Sequence, residues 1–229
     1  MTDLIALELL FGNPQRYEPG VSPDGTKRAY IAPHTGVLNV WSGTIGAQHD
    51  RVVTSESRRG VYSYFWAYDG KHLVYLKDND GDENWHLIAV DLASGGTRDL
   101  TPFTGVQAQL IAINPDFPDE LLVGLNQRDP RFFDAYRLRL STGELREEAR
   151  NPGDVASWIA DRRLQLRAAY AADNNKGGFL VRAGKPGEPE TWREAVHWRQ
   201  EDAIISRPVG FTPDGESLYL LDSSGANTV

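Results

Sequence analysis

Six consecutive residues, Asp78-Asn79-Asp80-Gly81-Asp82-Glu83, carry the densest run of carboxylates in this chain. Acids at alternate positions beside a glycine are the raw material of a calcium loop, which needs Gly at position 6 and Glu at position 12. Counted from Asp78, the glycine falls at position 4 and position 12 is Ala89, so the calcium reading fails. The run suits a solvated connection between strands, where Asp, Asn and Gly are favoured for turn geometry. The five histidines, His34, His49, His72, His86 and His197, are the other residues with acid–base chemistry. A catalytic base is defined by its geometry to a nucleophile. No Gly-x-Ser-x-Gly elbow is present, since Asp222-Ser223-Ser224-Gly225 lacks the leading glycine and the strand–turn–helix setting. With no cysteine, disulfides, thiol catalysis and thiolate metal sites are excluded. The residues therefore assign no catalytic group, no metal and no cofactor.

The elements that must carry these residues follow from a repeat. Ser22-Pro23-Asp24-Gly25, Ala67-Tyr68-Asp69-Gly70 and Thr212-Pro213-Asp214-Gly215 each precede a short apolar strand, with looser copies at Asn114-Pro115-Asp116 and Ala160-Asp161-Arg162. Asp-Gly suits a tight turn because Gly takes positive φ freely and Asp can hydrogen-bond the turn backbone. The anchors Asp24, Asp69, Asp116, Asp161 and Asp214 recur at steps of 45 to 53 residues, the period of a four-stranded propeller blade.

Two more registers agree. Third strands open with Leu38-Asn39-Val40-Trp41, Glu83-Asn84-Trp85-His86 and Phe133-Asp134-Ala135-Tyr136, and first strands are entered through Gly60-Val61, Gly105-Val106 and Gly153-Asp154. Strands are expected at 20–22, 28–32, 37–45 and 51–54, then at 62–67, 72–77, 85–92 and 98–101. A third set falls at 107–113, 121–126, 135–140 and 145–148, a fourth at 155–160, 164–171, 179–182 and 192–195, and a half-blade at 208–212 and 217–221. The expected fold is all-β, a partial propeller of about four and a half blades. A short helix over 4–11 within an N-terminal segment 1–14 precedes an incomplete propeller domain at 15–229. The strands stop mid-blade near Val229, which reads as an interruption of the propeller.

Composition narrows the partners. The net charge of −8 and the absence of a basic stripe beyond the pairs Arg58-Arg59 and Arg162-Arg163 argue against nucleic acid. No stretch approaches the ~20 apolar residues of a membrane span. The N-terminal Met1–Phe11 has no basic region and two acids interrupt its apolar run, so the expected location is the cytoplasm. The aromatic run Tyr62, Tyr64, Phe65, Trp66 and Tyr68 reads as packing between blades.

The stretches Gly36–Trp41, Tyr64–Asp69, Leu76–Leu87 and Asp91-Leu92, with Leu9–Pro14 and Leu221–Thr228, resemble the N-terminal propeller of bacterial prolyl oligopeptidase family serine peptidases. The resemblance is to the dipeptidyl-aminopeptidase and acylaminoacyl-peptidase branch and covers essentially the whole chain. It implies short peptides as substrates and a C-terminal α/β-hydrolase domain, holding a Ser-Asp-His triad, that this chain does not contain. It further implies a gating role, in which a narrow propeller channel admits short peptides and rejects folded proteins. In that setting Asp82 and Glu83 are the candidate substrate-binding residues, holding an α-ammonium by charge-assisted hydrogen bonds. The branch uses a propeller glutamate pair for this on a helical insertion that is absent here. Two other readings stand beside it: a free-standing interaction propeller of the Tol-B type, and a sugar-active propeller, which needs two carboxylates facing one pocket.

Overall fold

The computed structural model describes Gly12 and residues 15–225, and the expected helix over 4–11 lies outside them. The chain is an all-β partial propeller, with four four-stranded antiparallel sheets and one two-stranded sheet, each meandering in sequence order. Its helical content among the described residues is two 3₁₀ turns, Pro189–Thr191 and Asp202–Ile204. The chain forms two compact units that divide after Leu100.

The first unit holds two sheets. One comprises β1 (Tyr17–Val21), β2 (Lys27–His34), β3 (Val37–Thr44) and β4 (Arg51–Val52); the other comprises β5 (Tyr64–Trp66), β6 (His72–Lys77), β7 (His86–Asp91) and β8 (Thr97–Asp99). Middle strands are covered on both faces, so they read as near-continuous apolar runs: Leu73, Val74 and Tyr75 are all buried. Ala29, Ile31, Leu38 and Val40 of the first sheet pack with Leu73, Tyr75, Ile88 and Val90 of the second. The connector between the sheets must pass close to β3. A Cβ at Gly60 would lie 2.6 Å from the Leu38 side chain, so only glycine fits there.

The second unit holds β9 (Ala108–Ile113), β10 (Glu120–Asp129), β11 (Phe132–Arg139) and β12 (Leu145–Ala149) in one sheet. A second sheet comprises β13 (Val155–Ala160), β14 (Leu166–Ala172), β15 (Phe179–Ala183) and β16 (Arg193–Trp198), and β17 (Arg207–Phe211) pairs with β18 (Leu218–Leu221). Leu122 and Ala135 pack against Val155, Trp158, Ala169 and Ala171, and Phe211 and Leu218 close over Ala168, Val181 and Trp198.

Three expectations change. Of the aromatic run, Tyr62 and Tyr68 lie outside β5 and are exposed rather than packed between blades. The fourth strand expected at 192–195 is β16, running from Arg193 to Trp198. Pro189 starts a 3₁₀ turn, and Trp192 leaves the strand to bury its indole, which donates to the Lys185 carbonyl at 2.7 Å. The turn anchors also shift. Ser22 and Thr212 each close the turn by donating N–H to the residue five later and accepting from the residue three later. Asn114 makes the second of these contacts, with Phe117, and its carboxamide oxygen accepts the Asp116 N–H at 2.9 Å, so the side chain that holds this turn is Asn114 and not Asp116. Asp161 accepts from Leu164, so it corresponds to Ser22 and not to Asp24. Leu164, buried, then stands at the glycine position with φ 52°.

Candidate functional site

The acidic run is the connection from β6 to β7, residues 78–85. The corresponding connections after β2 and β10 need only two residues, Thr35-Gly36 and Pro130-Arg131. The second blade therefore spends extra chain here, and spends it in an unfavourable conformation. Asp80, Gly81 and Glu83 have φ of 51°, 94° and 58°. Two non-glycine residues in the left-handed region of one loop represent stored backbone strain, which is commonest at binding and switch segments.

Charges from the preceding blade connector hold the loop. Arg58 Nη1 lies 2.9 Å from Asp80 Oδ2, and Arg59 Nε lies 3.1 Å from Asp78 Oδ1. The first pair is exposed and contributes little, whereas Asp78 is buried, so its bond to Arg59 compensates a desolvated carboxylate. Asp78 Oδ2 is buried with no hydrogen-bond partner. Gly81 lets the guanidinium lie down, since a Cβ there would meet Arg59 Nη1 at 2.5 Å.

Both expected substrate-binding residues are exposed and adjacent in this loop, but they differ in what remains free. Asp82 Oδ1 accepts the Asn79 and Asn84 backbone N–H groups at 3.1 Å, and Oδ2 accepts the Asn84 side-chain amide at 3.1 Å. The Asn84 amide, with those backbone donors, holds the Asp82 carboxyl below its ordinary value. Glu83 makes no hydrogen bond or ion pair among the described residues. The loop thus presents one carboxylate that organises its own turn and one that points to no internal partner. A cationic group is the chemistry this arrangement can receive.

Four of the five histidines are held by neighbouring residues, and His49 is exposed. His72 Nδ1 lies 2.5 Å from Asp69 Oδ2 and His86 Nδ1 lies 2.7 Å from Asp99 Oδ2. His197 Nε2 lies between the Gly177 carbonyl at 3.1 Å and Asp173 at 3.3 Å, and His34 packs edge-on to Trp41. None is paired with a serine hydroxyl, and the described residues contain no cluster of three or more acids and histidines able to hold a metal.

Sequence reasoning missed the role of the polar residue in the third strands β3 and β11; in the second blade the matching Asn84 lies before β7 and bonds Asp82. Asn39, fully buried, accepts Thr54 Oγ1 and the Glu56 N–H at 2.7 and 2.8 Å and donates to the Glu56 carbonyl. Asp134, equally buried, accepts the Asn151 N–H at 2.7 Å and binds Arg128 through both oxygens. The signal was present in the shared third-strand register, which marked a repeat without showing that it pins the blade connector.

No protein-family model matches the chain. Over 228 residues it is 40% identical to dipeptidyl aminopeptidase BIII of Pseudoxanthomonas mexicana, an alignment covering 99% of this chain and 33% of the relative. The chain is homologous to a part of this dipeptidyl aminopeptidase. It spans about a third of the length of the curated relatives it matches. Among solved structures, oligopeptidase B of Trypanosoma brucei superposes with a TM-score of 0.59 at 15% identity, covering 90% of this chain and 31% of that one. TolB of Acinetobacter baumannii gives 0.56 at 15% identity, covering 89% and 47%. At that identity these two likenesses speak for the propeller fold alone.

Proposed function

We propose that this chain is the substrate-gating propeller part of a cytoplasmic serine peptidase that removes short N-terminal units from peptides. The observation that carries the reading is the 40% identity to a dipeptidyl aminopeptidase along 99% of the chain. Catalysis is assigned to a separate α/β-hydrolase domain by acyl transfer through a serine nucleophile, because this sequence has no nucleophile elbow. The propeller contributes selection, passing short peptides and excluding folded chains. Glu83 is proposed to meet the substrate's α-ammonium, with Asp82 holding the loop and adding negative field. The absence of cysteine supports the cytoplasmic assignment.

The test is made in the complete peptidase that includes this propeller. Asp82→Ala with Glu83→Ala is expected to raise KM for free-amine dipeptidyl substrates about ten-fold, near the value of one charge-assisted contact. N-blocked substrates should be unaffected and kcat preserved. An unchanged KM dismisses the two residues as a subsite, and absence of all peptidase activity in the wild-type protein dismisses the wider reading. The second reading, an interaction propeller, rests on the absence of a nucleophile elbow from this sequence. It predicts no peptidase activity in any longer form and stable capture of a protein partner.

A further inference from the structure

Within the second unit, one cross-strand row places Trp158 of β13 opposite Ala169 of β14, and Ala169 opposite Arg182 of β15. A methyl group between two of the longest side chains leaves a hollow in the sheet face. The connection from β15 to β16 folds over that hollow through its 3₁₀ turn. Trp192 fits there because Gly184 has no side chain; a Cβ at Gly184 would lie 2.5 Å from the Trp192 ring. The result is a cavity of about 450 Å³ lined by Trp158, Trp192, Ala169, Arg182, Arg150 and Glu190, among others. That size falls in the range of small-molecule sites.

The chemistry of the lining selects a ligand. Both indole N–H groups are already used, Trp158 on the Phe133 carbonyl at 2.9 Å and Trp192 on the Lys185 carbonyl at 2.7 Å. The two rings, 6.3 Å apart and edge to face, therefore offer apolar surface and π faces. Arg182 uses one Nη2 contact on Asp154, and Arg150 uses Nε on Glu147; their other N–H groups have no hydrogen-bond partner among the described residues. Unused guanidinium donors beside an aromatic wall match a carboxylate attached to a ring or branched apolar group. Glu190 is exposed, so a ligand amino group is tolerated. The geometry points to this cavity as a binding site for a small aromatic or branched carboxylic acid, either a free amino acid or the C-terminal end of a short peptide. The site lies wholly in the second unit and needs no catalytic partner.

Calorimetric titration of the purified chain tests this, with N-acetyl-phenylalanine, N-acetyl-phenylalaninamide and Gly-Phe as probes. The acid is expected to bind with one-to-one saturation, and the amide about ten-fold or more weakly. Phenylalanine itself, titrated alongside, separates the sources: binding of phenylalanine but not of Gly-Phe restricts the site to free amino acids, and binding of Gly-Phe identifies a peptide end as an acceptable source. Ala169→Leu fills the hollow and should abolish binding. Arg182→Gln, which leaves the cavity open at a part-exposed position, should weaken the acid about ten-fold and leave the amide unchanged. Circular dichroism confirms that each variant is folded, and Arg182→Gln carries the test if Ala169→Leu does not fold. No saturable heat, equal affinity for acid and amide, or undiminished acid binding by Arg182→Gln overturns the assignment.

Discussion

At the scale of single residues, the turn aspartates show how local hydrogen bonding becomes a pH property. Asp24 Oδ1 accepts the Ser22 hydroxyl at 2.6 Å and the Thr26 N–H at 3.0 Å, and these donors pull its carboxyl down to about 2. Asp129 is drawn to about 2 by Arg131 in the same way. A carboxyl whose folded value lies below its unfolded value stabilises the fold above the unfolded value, and the contribution disappears as pH falls through the folded one. The urea midpoint is therefore expected to drop between about pH 4 and pH 2. Asp24→Asn should lower the midpoint at neutral pH and flatten, without abolishing, the acid dependence, since Asp129 titrates in the same window. An Asp24→Asn profile parallel to wild type from neutral to acid pH would contradict this account.

At the scale of elements, the first and third blades are each tied to the connector that follows by a polar side chain buried in the third strand. Asn39 is the clearest case, because its amide satisfies backbone and hydroxyl groups of the 54–56 connector that no sheet ladder reaches. Replacing Asn39 with Ala strands the buried Thr54 hydroxyl and the half-buried Glu56 N–H and carbonyl. The expected cost is about 2–4 kcal/mol, the range for losing two or more buried hydrogen bonds. Urea denaturation of Asn39→Ala measures it, and a loss under about 0.5 kcal/mol would mean that water replaces the amide. The connector matters beyond stability, since it carries Arg58 and Arg59 to the acidic loop. Loosening it should release the loop that presents Glu83.

At the scale of the molecule, the weak point is the two-stranded sheet β17–β18. Val209 and Tyr219 are 62% and 61% exposed, and Ile204, beside β17 in sequence, is 82% exposed. An apolar strand pair with an open edge is a template for pairing with another chain. Purified chain is expected to self-associate as its concentration rises, and Val209→Lys combined with Tyr219→Lys should shift it to monomer in sedimentation experiments. A wild-type chain that stays monomeric at every concentration would show that this face is protected by other means.

Much of this protein was legible in one dimension. The strand count, the turn positions, the half-blade and the lack of a serine elbow follow from backbone preferences and apolar runs, which act over a few residues. The turn signals misled only where another side chain could do the same work, as at Asn114, or where Leu164 was forced into a glycine conformation. The acidic loop was recognised from its composition, and its oxygens were equivalent at that level. Tertiary structure separated them: Asp78 and Asp80 are matched by arginines about twenty residues earlier in the chain, Asp82 is folded into its own turn, and Glu83 is left free. The hollow over Ala169 was hidden for the same reason, because its walls come from three strands and a returning connection. Local propensity determines where strands and turns form; which charges are neutralised and which cavities remain is decided by residues brought together across long stretches of chain.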